Sequence, residues 1–178
     1  MPTALVVVDV QGAFVEHDPP PHDVAGLLAA LHTLLAAARA AGALVVHVQD
    51  VGADDPRFAD GDRRDLVLDV RPGEPVVPKR HDDAFDGTDL ARLLDGHRAV
   101  VLGGLQSEMC VAATARAALA RGLEVVLPHD AHSTWDLPAG PAGPAVPADA
   151  VRRVAAWSLG DAVRLPLTSV GVAFAPMP

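Results

Sequence analysis

Short apolar runs alternate with helical segments along the whole chain. Residues 3–8 are mostly β-branched and end at Asp9, and residues 23–41 follow as an Ala- and Leu-rich stretch with leucines at helical spacing, closed by Gly42. The same patterns predict strands at 43–48, 75–77, 98–102, 123–127 and 162–165, and helices at 88–94, 110–120 and 147–160. Strands that are apolar on both faces need cover on both sides. The pattern therefore predicts a mostly parallel sheet between two layers of helices.

The length of 178 residues suits one hydrophobic core. Together with the alternation of strands and helices, it predicts one domain over residues 1–178, folded as a Rossmann-like three-layer α/β/α sandwich. Two segments are predicted as loops: the polar stretch 49–65 and the proline-punctuated stretch 138–147, which resembles a lid.

Composition excludes several classes of protein. A net charge of -9 and a pI near 5.2 argue against a nucleic-acid partner, which would need a basic face. No apolar run is expected to approach the roughly 18 residues of a membrane span, so we predict no membrane partner. Residues 1–10 have no basic leader and are predicted as a strand, not as a signal peptide. The single cysteine cannot form an internal disulfide, which predicts a reducing, cytoplasmic location.

Three reactive side chains come directly after predicted strands. Asp9 follows the first strand, Lys79 follows the third, and Cys110 follows the fourth after the turn 103–109. In open α/β sheets, sites form outside the carboxyl ends of the strands. We therefore expect the three side chains to meet at one edge of the sheet.

Each of these residues has a catalytic and a structural interpretation. Cys110 opens a predicted helix, where the helix dipole favours a thiolate and free backbone amides could bind an oxyanion. Alternatively, Cys110 could be a small buried apolar residue. Asp9 could be a general base or a turn carboxylate. Lys79 could orient both anions or lie in solvent. Their joint occurrence favours a nucleophilic site.

Four segments, in order, resemble motifs of the isochorismatase-like cysteine hydrolases. Residues 8–14 resemble the pattern D-x-Q-x-x-F, and residues 78–90 resemble K-x-x-x-S-A-F-x-x-T-x-L with Asp83 in place of the usual serine. Residues 103–117 are similar to G-x-x-[TS]-x-x-C-V-x-x-T-x-x-x-A, and 130–134 to the Asp-Ala turn after the next strand. The resemblance spans nearly the whole chain.

The resemblance implies a site and a mechanism. Its catalytic triad would be Asp9, Lys79 and Cys110, with an oxyanion hole formed by the backbone amides of Gln106 and Cys110 after a cis Leu105–Gln106 bond. Cys110 would attack a carbonyl of a small molecule, and a C–N bond of an amide or cyclic amide would break through a thioester. Family resemblance also implies a homo-oligomer, a dimer or a tetramer.

The sequence departs from the metal-binding branch of the family. That branch, the nicotinamidases, uses an Asp-x-His pair where this chain has Asp50-Val51-Gly52, and residues 53–65 contain no histidine. Because a metal site needs three or four ligands, we predict no metal and no other cofactor.

Pocket residues and substrate are the least constrained. Phe14, His81, His132 and Trp135 are predicted near the pocket, although His132 and Trp135 could equally anchor loops. The string 106–110 resembles the streptothricin-hydrolase-like subgroup, which implies that a cyclic amide is opened. Two alternatives remain: a vinyl-ether hydrolase of the isochorismatase type, and a non-catalytic small-molecule-binding member of the fold.

Overall fold

A parallel sheet lies at the centre of the protein in this computed structural model, which describes residues 1–52 and 63–177. Within that part of the chain, seven strands are present: β1 (Ala4–Val8), β2 (Leu44–Asp50), β3 (Val76–Lys79), β4 (Ala99–Leu105), β5 (Glu124–Val126), β6 (His132–Ser133) and β7 (Val163–Arg164). Their order is β3-β2-β1-β4-β5-β7, and β6 pairs with β4. Every pair of strands in this sheet is parallel, which confirms the predicted sheet.

Helices cover both faces of the sheet. They are α1 (Gly12–Val15), α2 (Val24–Ala41), α3 (Leu90–Leu93), α4 (Ala112–Ala120) and α5 (Ala148–Trp157), with a π-helical turn at Ser107–Val111 and a 3-10 turn at His129–Ala131. The leucines of α2 belong to the core on one face, and side chains of α3, α4 and α5 belong to the core on the other. The predicted three-layer α/β/α architecture is therefore confirmed.

Strand β1 explains why the first apolar run is continuous. Ala4, Val6 and Val8 point into one core, whereas Leu5 and Val7 point into the other, and none of the five is more than 1% exposed. Because successive side chains of a strand face opposite sides, a strand between two helical layers has no polar face. The central position of β1 follows from this composition.

Helix α2 has the ends that its sequence predicts, but its length corrects one expectation. The Asp23 carboxylate accepts a hydrogen bond from the Gly26 amide at 3.0 Å, and Gly42 ends the helix in the left-handed conformation. The helix has 18 residues and a mean hydropathy of 1.6, so by length and composition it could cross a membrane, contrary to the expectation that no apolar run approaches that length. One such helix is weak evidence for a span, and here one side of it packs in the core: Leu27, Ala30, Leu31, Leu34, Leu35 and Ala38.

The end of β4 differs most from its prediction. The strand continues to Leu105, and helical structure begins at Ser107 instead of at Cys110. Gly104 explains the longer strand, because a Cβ atom there would lie 2.0 Å from the Val8 carbonyl oxygen of β1. Only glycine lets the two backbones approach so closely.

The two predicted loops are only partly described. Strand β2 extends to Asp50, into the predicted loop 49–65, and residues 53–62 of that loop lie outside the described residues. The stretch 138–147 is irregular and is closed by isolated antiparallel bridges between Leu137 and Val146 and between Gly140 and Gly143.

Candidate active site

The three predicted catalytic side chains lie together at the carboxyl edge of the sheet. The Lys79 Nζ atom is 2.7 Å from Asp9 Oδ2 and 3.3 Å from Cys110 Sγ. Asp9 follows β1 and Lys79 ends β3, so two parallel strands present these groups at the same end. Asp9 is 2% exposed and Lys79 only 1%. The structure thus brings together residues that are far apart in sequence.

Lys79 is the only lysine of the chain, and it is buried. Burial alone would lower the pKa of this amine, but the neighbouring Asp9 carboxylate and Cys110 raise it above its ordinary value. Asp50 adds a second carboxylate, with Oδ2 3.5 Å from the amine. Since a buried charge needs a close partner of opposite sign, the position of Lys79 depends on these carboxylates. The group remains an ammonium ion at neutral pH.

Asp9 follows β1 in a backbone conformation that is uncommon for a non-glycine residue. Its backbone is left-handed, with φ 55°, and its amide donates to the Val48 carbonyl at 3.0 Å. Burial raises the pKa of Asp9 to about 6, against the opposing effect of the Lys79 ammonium. A carboxylate with a pKa near neutrality is suited to accept and return a proton.

Cys110 lies inside the π-helical turn, not at the first residue of a helix. The Val111 amide donates to the Gln106 carbonyl at 3.0 Å, across five residues. Burial and the Asp9 carboxylate raise the pKa of Cys110 above its usual range, although the Lys79 ammonium opposes them. This direction is opposite to the effect of a helix dipole, which favours a thiolate, because a second anion beside the buried Asp9 carboxylate is unfavourable.

A cavity of about 320 Å³ opens onto these groups. Its lining combines acidic and apolar side chains with the sulfur: Asp9, Phe14, Asp50, Asp82, Leu105, Gln106, Met109 and Cys110. The Leu105–Gln106 peptide bond is cis, as the resemblance implies. Gln106 and Cys110 therefore both border the space in which a substrate carbonyl would lie.

Of the four predicted pocket residues, only Phe14 lines this cavity. His81 points into solvent, with its side chain 67% exposed. His132 is turned inward, where its Nδ1 atom lies 2.8 Å from Ser107 Oγ and burial lowers its pKa to about 3. The Trp135 indole donates to the Pro19 carbonyl at 2.8 Å. His132 and Trp135 hold neighbouring segments in place, as their alternative interpretation predicts.

Asp82 borders the cavity without having been predicted from the sequence. Its Oδ1 atom is 3.6 Å from Cys110 Sγ. The Thr114 hydroxyl fixes this loop, since it donates to the Asp82 carbonyl at 3.4 Å and accepts from the Ala84 amide at 3.1 Å. Sequence spacing carries no signal for such a position, because it depends on a contact between a loop and α4.

Gln11 connects the two strand ends that carry Asp9 and Asp50. Its side-chain amide donates to the Asp50 carbonyl at 3.0 Å and accepts from the Asp50 amide at 2.8 Å. This residue is part of the first motif, yet the sequence analysis gave it no role. Its buried amide group fixes the spacing between the two carboxylates.

Asp50 occupies the position of the aspartate that the metal-binding branch of the family uses as a ligand, but both of its carboxylate oxygens contact groups of this chain. Its Oδ1 atom accepts from the Gly52 amide at 2.7 Å, and its Oδ2 atom faces Lys79. Within residues 1–52 and 63–177, no group of three or more His, Cys, Asp or Glu side chains is arranged to hold a metal ion. Most of the histidine-free segment 53–65 lies outside the described residues.

Comparison with known proteins agrees with this site and fold. Residues 3–140 match the isochorismatase domain family. Two streptothricin hydrolases from Streptomyces noursei are 47% and 46% identical over 98% of this chain, which spans 72% and 66% of their lengths. The crystal structure of an isochorismatase from Pseudomonas putida KT2440 superimposes with a TM-score of 0.82 at 27% identity, covering 94% of this chain and 88% of that one.

Proposed function

This chain belongs to the isochorismatase family of hydrolases, and we propose that it hydrolyses a C–N bond of a small molecule with Cys110 as nucleophile, Asp9 as general base and acid, and Lys79 as the orienting cation. One observation carries the proposal. The Lys79 amine lies 3.3 Å from Cys110 Sγ and 2.7 Å from Asp9 Oδ2, and the side chains of Asp9 and Cys110 line a cavity.

The first half-reaction transfers an acyl group to the enzyme. The Asp9 carboxylate accepts the thiol proton as sulfur attacks the substrate carbonyl, so that a C–S bond forms and negative charge moves to the carbonyl oxygen. Lys79 stabilises the sulfur anion during this transfer. The backbone amides of Gln106 and Cys110 stabilise the oxyanion. The C–N bond then breaks, and Asp9 gives its proton to the leaving nitrogen.

The second half-reaction releases the acid. Asp9 removes a proton from water, the resulting hydroxide attacks the thioester, and the C–S bond breaks. The sulfur leaves as a thiolate and recovers its proton from Asp9, so one water is consumed and the enzyme returns to its resting state. The raised pKa of Cys110 favours this return to the neutral thiol.

The substrate that we propose is an amide or cyclic amide whose scissile carbonyl enters the cavity beside Cys110. The streptothricin hydrolases, which are 47% and 46% identical to this chain, support a cyclic amide within an antibiotic as the first compound to assay. In a cyclic amide the leaving amine stays attached to the acyl group, so the ring-opened product leaves only after hydrolysis.

Intact-mass spectrometry of the protein during turnover tests the nucleophile. Wild-type protein quenched with acid in the presence of streptothricin or a panel of small amides is expected to carry one acyl adduct, located by digestion on Cys110. Cys110→Ala is expected to lose turnover by at least about 10³-fold, because the nucleophile is absent.

Retained turnover in Cys110→Ala would overturn the proposal. A melting temperature close to that of wild type establishes that the variant is folded. Should it fail to fold, modification of wild-type Cys110 by iodoacetamide gives a second test: complete modification is expected to abolish turnover, and full activity after modification would contradict the mechanism.

We further propose that the protein is a homo-oligomer, a dimer or tetramer, in a reducing compartment such as the cytoplasm. The exposed Trp157, Leu167 and Val170, which are 75–82% accessible in one chain, support an interface. The unpaired Cys110 supports the compartment. Light scattering after gel filtration tests the first proposal, which a monomer at all concentrations would contradict.

A further inference from the structure

We propose that Asp82 determines substrate charge: its carboxylate binds an ammonium, amidinium or guanidinium group of the substrate beside the scissile carbonyl. This inference rests on the proposed function for its substrate, and it names the class of amide that the cavity accepts. Asp82 would then be a specificity residue that contacts the substrate, in addition to Asp9, Lys79 and Cys110.

The position of Asp82 is the first argument. Its carboxylate lines the cavity, with Oδ1 3.6 Å from Cys110 Sγ, so a group that pairs with it lies next to the nucleophile. Asp82 forms no ion pair with any residue that the structure describes. The hydroxyl of Thr114 holds its backbone against α4. Asp82 is an exposed residue, so its carboxylate, which has no ion-pair partner among the described residues, is accessible to a cation that enters the cavity.

The charge of the cavity is the second argument. Its lining carries the three carboxylates of Asp9, Asp50 and Asp82, whereas the only cation in contact with these groups, within the described part of the chain, is Lys79. Lys79 already pairs with Asp9 and lies near Asp50. With Cys110 as a neutral thiol, two of these three negative charges have no compensating cation among the described residues.

The third argument is the carboxylate of Asp9 itself. It is nine-tenths buried and lines the same cavity, and its Oδ1 atom has no hydrogen-bond partner among the described residues. An unpartnered buried acceptor leaves room for a donor on a ligand. Of the other lining residues, Gln106 is polar, whereas Phe14, Leu105 and Met109 are apolar and give the cavity an apolar part. A ligand with a compact cation next to an amide fits these walls.

Thiol-directed reagents of different charge test the proposed role of Asp82 in binding a cation without any enzymatic assay. Because Cys110 is the only cysteine, methanethiosulfonates that carry a trimethylammonium, an uncharged methyl or a sulfonate group report on this cavity alone. In wild-type protein, the cationic reagent is expected to react faster than the anionic one. Asp82→Asn is expected to reduce that rate ratio about tenfold, the effect of one charge at this range.

Asp83→Asn is the matched control, because it removes the same charge from the neighbouring residue. Asp83 accepts a hydrogen bond from the Phe85 amide at 2.8 Å and does not line the cavity. The ratio of the cationic to the anionic reaction rate in Asp83→Asn is expected to equal that of wild type. An unchanged ratio in Asp82→Asn, or an equal fall in both variants, would overturn the inference. So would faster reaction of the anionic reagent with wild type, a result that requires no variant.

Turnover provides the second readout. For pairs of amides that differ only by acetylation of a free amine, Asp82→Asn is expected to raise KM at least about tenfold for the cationic member and to leave the neutral member unchanged. If neither amide nor cyclic amide is hydrolysed, the proposed function fails, while the reagent ratios still decide the charge preference. If both members respond equally, Asp82 does not read substrate charge.

Discussion

The protonation of Asp9 is controlled by two opposing effects. Burial favours the neutral acid and raises its pKa to about 6, whereas the Lys79 ammonium at 2.7 Å favours the carboxylate. Asp9 is therefore mostly ionised at pH 7 yet close enough to its pKa to hold a proton during the reaction. Cys110, in contrast, is a thiol when Asp9 is charged. One proton moves between the two groups during each half-reaction.

This balance predicts the pH dependence of turnover. Below about pH 6, protonated Asp9 cannot accept the thiol proton, so kcat/KM is expected to fall about tenfold for each pH unit. Lys79→Met removes the ammonium that favours the carboxylate. The acidic limb of the profile is then expected to move upward by at least about one pH unit, with a loss of activity at pH 7. Rates measured between pH 4 and 9 test this.

Arg80→Met is the control for that profile, because it removes a neighbouring cation that is exposed and outside the cavity lining. Its acidic limb is expected to coincide with that of wild type. An acidic limb that stays near pH 6 in Lys79→Met would mean that another group sets the pH dependence.

At the residue scale, the sequence predicts positions better than it predicts charge states. Asp9 and Lys79 were found because each comes directly after a strand, and parallel strands end at one edge. The direction of the Cys110 pKa shift could not be predicted from the sequence, since it depends on the burial of the sulfur and on Asp9 beside it. Asp82 was missed because a contact with Thr114, 32 residues away, holds it at the cavity.

At the scale of elements, the contact between β1 and β4 positions the base relative to the nucleophile. Val8 pairs with Gly104, so Asp9 follows one strand directly, and the turn that carries Cys110 follows the other. Gly104 has φ 124°, a conformation that other residues rarely adopt. Its lack of a side chain sets the separation of the two strands.

Gly104→Ala is expected to destabilise the fold severely, by more than about 3 kcal/mol, because its Cβ would overlap the Val8 carbonyl oxygen at 2.0 Å. Gly122→Ala is the matched control: it also has a positive φ, of 81°, but a Cβ there meets nothing within 4 Å. Its cost is expected to be only about 1 kcal/mol of backbone conformation. Urea unfolding monitored by circular dichroism measures both, and equal costs would contradict the role of the strand contact.

The type of each main element was predictable, whereas several boundaries were not. Hydrophobic periodicity and the closing Gly42 placed α2 correctly. Gly103 and Gly104 indicated a turn, but both lie within β4, where a Cβ at Gly104 would meet Val8 of β1 and a Cβ at Gly103 would meet Ala131 and Leu31. The π-helical turn at Ser107–Val111 leaves no periodic signal, because it lasts only five residues.

At the scale of the whole molecule, a polar cluster on the sheet side away from the cavity links α2, β2 and the segment before β3. Arg39 contacts both carboxylate oxygens of Glu74, at 2.7 and 2.9 Å, and His47 Nε2 lies 3.0 Å from the same carboxylate. Burial alone would raise the pKa of Glu74, but hydrogen bonds from Arg39, the Arg71 amide and His47 lower it to about 2. The cluster therefore couples global stability to pH.

The sign of that coupling follows from the lowered pKa. The stabilisation from ionised Glu74 is fully present above its ordinary pKa of 4.5 and is lost as the pH falls toward about 2. Glu74→Gln is expected to cost about 3 kcal/mol at pH 7 and progressively less below pH 4.5. Glu124→Gln, at an exposed position, is expected to have little effect. Denaturant titrations over this pH range measure the free energy of unfolding of both variants. A loss of stability in Glu74→Gln that is the same at all pH values would contradict the proposed coupling.

The architecture of the whole molecule follows from composition more directly than the cavity does. The apolar runs on both faces of β1 require two helical layers, which the structure contains. Cavity shape depends instead on loops and side-chain packing, so three of the four predicted pocket residues lie elsewhere.

The burial of Lys79 has a practical consequence. Acylating reagents that seek ε-amines have one target in this chain, and it lies beneath the sheet edge with a fully enclosed side chain. Acetylation of that amine, located on Lys79 by digestion and followed over time, would therefore count opening events of the catalytic end of the molecule, much as hydrogen exchange does for backbone amides.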